Sequence, residues 1–256
     1  MKSSYHRKFQ KRWILAGIFM LLIAAAAAEN AVAQMKEWDY VALGDSQSSG
    51  LFLLYAKDLE QDLGVKVNTL NRTVGGQSTT SLLRELRGNR DLQDTLRKAK
   101  VVTLNVPMAG FGYAMGAFRD GKCGGADSQD CLREALKTYQ EETTAIFAEL
   151  ISLSHPSKVL IRTMDTPQFM TRTTKGRGRF QVFKPYWQAA NKSVIEVATK
   201  HRIPAARVYA AFMGLNGDDD PQDKGLMSSD EIHPTPQGND LIAKLFRELG
   251  YQYATP

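Results

Sequence analysis

The chain has 256 residues, 43% of them hydrophobic and 23% charged, with 20 Gly, 9 Pro and 2 Cys. Those proportions exclude a disordered tail, a collagen-like repeat and a disulfide-dense scaffold, and leave a globular protein with enough apolar residues for one sizeable core. The formal charge of +6 sits mostly in residues 1–33, where Lys2, Arg7, Lys8, Lys11 and Arg12 face only Glu29; the remainder carries 28 basic against 26 acidic groups, a balance that argues for no nucleic-acid partner.

In chain order, the first segment reads as a secretory leader. Twelve polar, basic residues precede the uncharged apolar run Trp13–Ala28, and Ala31-Val32-Ala33 then places small residues where a signal peptidase reads them. The leader is therefore residues 1–33, with cleavage before Gln34, and residues 34–256 form one domain. The run has 16 residues, short of the ~20 that cross a bilayer; an uncleaved anchor is the alternative. No later segment reaches membrane-spanning length, so no membrane contact is expected once the leader is gone.

Beyond the leader, apolar runs alternate with amphipathic stretches. Asp39–Gly44 reads as a buried strand, followed by a helix carrying Leu51, Leu54, Ala56 and Leu59. Val65–Leu70 is a second strand, Thr79–Lys98 a helix, and Val101–Val106 a third strand that leads into a Gly-rich loop. Cys131–Leu153 is a long helix, Lys158–Met164 a strand, Pro185–His201 a helix, Arg207–Phe212 a short strand and Thr235–Leu249 the last helix. The alternation predicts a three-layer α/β/α domain around a parallel sheet of about five strands, with chemistry at the strand carboxyl ends. Cys123 and Cys131 bracket a short loop. In an oxidising compartment they pair as a disulfide worth roughly 2–3 kcal/mol at most; in the cytosol two thiols would remain. No second Cys or His pair stands at zinc-ligand spacing.

Three segments carry chemistry. Gly44-Asp45-Ser46-Gln47-Ser48-Ser49-Gly50 lies between the first strand and first helix, where a serine hydroxyl reaches the sheet edge and its N–H lies near a helix N-terminus. Alone, Asp45 and Ser46 could be ordinary N-caps. Ser229-Asp230-Glu231-Ile232-His233-Pro234-Thr235 lies near the C-terminus. A serine needs a base, neutral imidazole suits pH 7, and a carboxylate three residues away can fix its tautomer. Alone, this segment could be a cap and a surface histidine. The other two histidines after the leader, His155 and His201, read as solvated helix ends. In Asn71–Thr80, glycine can bring its N–H close to a substrate oxyanion, although a left-handed turn and a Thr cap would look the same.

Together these segments resemble the GDSL/SGNH hydrolase family. The resemblance rests on G-D-S-x-x-x-G at Gly44–Gly50, the glycine turn at Gly76–Thr79 and D-x-x-H-P-T-x-x-G at Asp230–Gly238, in the family's order across nearly the whole chain after the leader. It implies a flavodoxin-like SGNH fold, Ser46 as nucleophile, His233 as general base and acid, and Asp230 as its orienting carboxylate. The N–H groups of Ser46 and Gly76 would be oxyanion donors. Gln47 replaces the family's leucine, a position without a catalytic role. In the family's G-x-N-D motif the asparagine position falls on Ala109; Asn105, inside the strand, is a weak substitute donor. Losing one donor costs about 10²–10³ in rate, which predicts a slower enzyme rather than a dead one. The ordinary α/β-hydrolase fold would need G-x-S-x-G, which neither G-D-S-Q-S nor G-Q-S-T-T provides.

Two further clusters have plainer readings. Arg172, Lys175, Arg177, Arg179 and Lys184, with Phe180 and Phe183, could grip a polyanion but read better as a solvated loop near the site. Asn216–Asp220 could hold calcium but lacks EF-hand spacing and reads as a polar turn. The sequence therefore points to a secreted or periplasmic serine esterase acting on a small-molecule, lipid or glycan ester, with no metal or cofactor required. The alternatives are a weakened binding protein on this scaffold, or an acyltransferase with a sugar hydroxyl in place of water.

Overall fold

The structure is a computed structural model and describes residues 36–155 and 158–253. The leader and cleavage site expected from the sequence lie outside these residues.

Five strands form one wholly parallel sheet: β1 (Glu37–Gly44), β2 (Lys66–Thr73), β3 (Val101–Asn105), β4 (Leu160–Met164) and β5 (Ala205–Ala206). Their spatial order is β2-β1-β3-β4-β5. Because the chain moves one way from β1 to β2 and the other way from β3 onward, the crevice outside the carboxyl ends of β1 and β3 is the topological switch point. The register pairs Tyr40 with Val101 and Leu43 with Leu104, so β1 and β3 end side by side. Both strands are buried toward that end, as expected for a parallel sheet covered on two faces.

The helices are α1 (Leu51–Leu63), α2 (Thr79–Gly88), α3 (Arg90–Lys98), α4 (Ala109–Arg119), α5 (Asp130–Ser154), α6 (Thr171–Gly176), α7 (Phe180–Lys200), α8 (Val208–Met213) and α9 (Pro236–Glu248). α1 packs on α9; α5 packs on α2, α3, α4 and α7. The three layers expected from the alternation are therefore present. Arg247 of α9 reaches Asp58 and Asp62 of α1, and Tyr55 contributes an edge-on contact with Phe246 at 5.5 Å.

Four elements differ from the sequence expectation. The helix expected over Thr79–Lys98 is broken at Asn89, whose extended backbone ends α2 and whose side chain accepts from Leu92 N to start α3. The Gly-rich stretch after β3 is helical: Phe111, Ala114 and Met115 bury one face, and that packing outweighs the roughly 1 kcal/mol each glycine costs. The strand expected at Arg207–Phe212 is α8, and the sheet edge is instead Ala205–Ala206. The basic stretch around Arg172–Lys184 forms α6 and the start of α7 rather than a loop, with Phe180 and Phe183 in the core. Cys123 and Cys131 are bonded, with Cα atoms 4.8 Å apart. The acidic turn is held by cations of the chain: Lys184 meets Asp218, Lys224 meets Asp219 and Arg172 meets Asp220.

Candidate active site

The first loop is shaped by Gly44. Its φ is +142°, and a Cβ there would lie 2.7 Å from Ser48 Oγ and 2.8 Å from Asn105 O, so only glycine lets β1 turn beneath β3. Asp45 then caps a 3₁₀ turn, Ser46–Ser48, accepting from Gln47 N at 3.0 Å. The buried Asp45 carboxylate also accepts from Asn105 Nδ2 at 3.0 Å and from Met108 N at 3.3 Å. Burial pushes its carboxyl up; the Gln47 and Met108 amides, and then His233, act against that shift. Asp45 thus fastens the Ser46 turn to the end of β3.

The second loop runs from Leu226 to Thr235. Its arms join through Thr235 N to Leu226 O at 3.0 Å and Ser228 N to His233 O at 2.8 Å, and Glu231 turns it at φ +61°. Asp230 Oδ1 accepts from Ser228 Oγ at 2.6 Å, Ile232 N at 2.8 Å and His233 N at 2.9 Å. Partial burial would raise the Asp230 carboxyl, but these hydrogen bonds and the His233 ring outweigh it and hold it far below the usual carboxylate range. Asp230 Oδ2 lies 2.7 Å from His233 Nδ1, and His233 Nε2 lies 2.9 Å from Ser46 Oγ. With Asp230 ionised, Nδ1–H donates to it, and the Nε2 lone pair faces the Ser46 hydroxyl. An alcohol, a neutral imidazole and a carboxylate in that order can deprotonate a nucleophile as it attacks. Past the histidine, Thr235 caps α9 by accepting from Gly238 N at 3.0 Å. Gly238 admits no side chain, because a Cβ would lie 2.2 Å from Leu226 O.

The third loop follows β2, which extends through Thr73. Val74 N donates to Gly44 O at 2.9 Å, and Gly76 adopts φ +69°. A Cβ at Gly75 would stand 4.0 Å from the Ser46 Cβ, so this turn passes beside the hydroxyl. The α2 cap is Ser78, accepting from Ser81 N at 3.2 Å, rather than Thr79.

Asn105 requires a correction. Its side chain is buried, its Nδ2 donates to Asp45 and its Oδ1 accepts from Thr166 Oγ1 at 2.9 Å. It braces the loop from below and does not serve as an oxyanion donor. Ala109 opens α4 and carries no donor side chain. His155 and His201 stand at the ends of α5 and α7.

Sequence reasoning passed over two neighbours. Gln47 is buried, and its Nε2 donates to Ile232 O at 3.1 Å, joining the Ser46 turn to the histidine loop. Thr166 carries the bracing deeper: its N and O bond the Asn191 amide at 2.9 and 2.8 Å, and Trp187 Nε1 donates to Thr166 O at 2.9 Å. A lone Gln or Thr has no local pattern that signals such long-range bonds.

No protein-family model matches the chain, and no curated protein matches it. Solved structures do resemble it. A lipase from a goat-rumen metagenome superposes with a TM-score of 0.67 at 17% identity, covering 85% of this chain and 100% of that one. A phospholipase A1 from Streptomyces albidoflavus gives 0.57 at 16% identity, covering 84% and 99%. An acetyl xylan esterase from Geobacillus stearothermophilus gives 0.55 at 16% identity, covering 87% and 99%. At such identities the likeness establishes the fold alone, a three-layer α/β/α domain around a parallel sheet. The same fold is shared by a solved structure described as a putative lipolytic protein of the G-D-S-L family from Desulfitobacterium hafniense, with a TM-score of 0.51 at 14% identity, covering 82% of this chain and 98% of that one.

Proposed function

We propose that the chain is an exported serine hydrolase of carboxylic esters. The observation that carries this reading is the hydrogen-bonded series Asp230–His233–Ser46, at 2.7 and 2.9 Å. The similarity of its scaffold to a lipase, an esterase and a phospholipase supports an ester as substrate.

In this mechanism Ser46 Oγ attacks the ester carbonyl carbon while its proton passes to His233 Nε2, and Asp230 stabilises the imidazolium that forms. The carbonyl oxygen becomes an anion, held by the N–H groups of Ser46 and of the Gly76 turn. The imidazolium returns its proton to the departing alcohol oxygen, leaving Ser46 acylated. Water then attacks the acyl carbon, giving its proton to His233, and the acid leaves as Ser46 recovers a proton. With Ala109 supplying no side-chain donor, turnover is expected to be slow for this scaffold. The pairing of Cys123 with Cys131 and the leader pattern in residues 1–33 both support export.

A panel of esters of increasing acyl length, offered to the wild type and to Ser46→Ala, tests the mechanism. Removing the nucleophile should lower kcat by roughly 10⁴-fold or more with the fold intact. Ester turnover unaffected by the substitution would overturn it.

A further inference from the structure

Between α4 and the α6–α7 segment lies a small cleft of about 100 Å³, lined by Met115 and Arg119 of α4 and by Met170, Arg177, Arg179 and Phe183 around α6 and α7. Both walls are tied to the site. α4 begins directly after Met108, whose N–H bonds Asp45. On the other wall, Met170 N donates to Glu231 O at 2.7 Å, and Thr173 N and Oγ1 donate to the Glu231 carboxylate at 2.9 and 2.6 Å. Glu231 follows Asp230 in the histidine loop, so the cleft wall around α6 is hydrogen-bonded to the loop that carries His233.

Part of the basic charge around it is already paired. Arg172 is engaged by Asp220 and Asp223, Lys184 by Asp218, and Lys175 donates to Asp218 O while lying 4.6 Å from the Phe180 ring centre. Arg177, by contrast, has a guanidinium with no hydrogen bond or ion pair among the described residues, and it enters the cleft together with Arg179 and Arg119. Asp120 answers these cations by bonding Arg119 Nε at 2.8 Å, and the Glu231 carboxylate is engaged by Thr173, which also lines the cleft. Fork-shaped guanidinium groups over an apolar floor of methionine and phenylalanine suit a planar or tetrahedral anion joined to a short carbon chain.

We propose that this cleft recognises an anionic group, a carboxylate or a phosphate, carried by the ester that the enzyme cleaves. The inference rests on the hydrolase reading and specifies its substrate class. Matched esters test it and separate the two sources of charge: monoethyl glutarate against ethyl pentanoate for an anion on the acyl side, and 1-acetylglycerol 3-phosphate against 1-acetylglycerol for one on the alcohol side. The wild type should favour the charged member of one pair by about tenfold or more in kcat/KM, since hydrogen bonds to charged groups are worth that much. In Arg177→Gln/Arg179→Gln that ratio should fall toward one, and in the corresponding double Lys variant, which keeps the charge, it should fall less. Equal kcat/KM within both pairs overturns the proposal. Calorimetric binding of glutarate and of glycerol 3-phosphate to Ser46→Ala keeps the two readings apart. Arginine-dependent anion binding in a protein whose wild type cleaves no ester would sink the hydrolase and leave the anion site. Turnover of both members alike, without anion binding, would do the reverse.

Discussion

Gln47, next to Ser46, is a polar side chain placed in a buried position. Such a group is costly unless it is bonded; Gln47 Nε2 donates to Ile232 O, one residue before His233, while its Oε1 has no partner among the described residues. The bond spans two loops that no stretch of chain connects locally, and it ties the Ser46 turn to the loop that carries His233. Replacing Gln47 by Leu, the residue at this position in the resembling family, removes the bond while keeping apolar bulk. Steady-state kinetics should then show kcat lowered roughly threefold to tenfold, the worth of one neutral hydrogen bond, with KM unchanged. A variant with lower Tm but unaltered kcat would mean that the bond holds the loops together without aligning them. Asn105 teaches a related lesson. Its residue type suited an oxyanion donor, but its amide is engaged with Asp45 and Thr166, and only the surrounding atoms reveal that.

At the level of elements, β4 and α8 meet at a buried carboxylate. Asp165 follows β4, and its Oδ1 accepts from Tyr209 N in the first turn of α8 at 2.7 Å. Burial pushes its carboxyl up to about 6, with the Tyr209 amide, Arg207 and the Val208 amide acting in the opposite direction. A folded-state value above the unfolded one means that the native protein binds this proton more tightly. The stabilisation is complete below the unfolded pKa, near 4, and is lost as pH rises through about 6. Asp165→Asn keeps an acceptor for Tyr209 N and cannot ionise. Between pH 5 and pH 8, urea unfolding of the wild type should lose roughly 1–2 kcal/mol more than that of the variant; identical pH slopes would refute the assignment. The same cap helps to explain why Val208–Met213 is helical. A short apolar run has no periodicity that separates strand from helix, and the Asp165 side chain, remote in sequence, decides.

Across the whole molecule, the C-terminal segment is fastened through the sheet. Arg162, fully buried in β4, donates from Nη2 to Gly250 O at 2.9 Å and to Gln252 O at 2.8 Å, and from Nη1 to Ile161 O at 2.9 Å. α9, which follows His233, is thereby held on the same frame as β1 and α1. The opposite terminus bears on the compartment. If residues 1–33 are an export leader, expression in a secreting host should yield a protein whose mass begins at Gln34 and whose Cys123 and Cys131 resist alkylation until reduced. Full-length mass in the membrane fraction would instead favour the uncleaved anchor.

The amino-acid sequence by itself determined the alternation of strands and helices, and with it a parallel sheet whose carboxyl edge carries chemistry. It also determined the two loops with the strongest local constraints. Gly44, Gly50, Thr235 and Gly238 are demanded by close approaches, a left-handed φ at Gly44 or a cap within a few residues, and such demands leave a readable pattern. Tertiary structure alone decided that Ser46 Oγ and His233 Nε2 stand 2.9 Å apart, that Asn105 turns inward, that the Gly-rich stretch after β3 is a helix, and that Arg177 lines a cleft with no ion pair among the described residues. The reason is physical: hydrogen bonds and ion pairs between distant residues are chosen by the packing that brings those residues together. Propensity and periodicity sense only what lies within a turn or two along the chain.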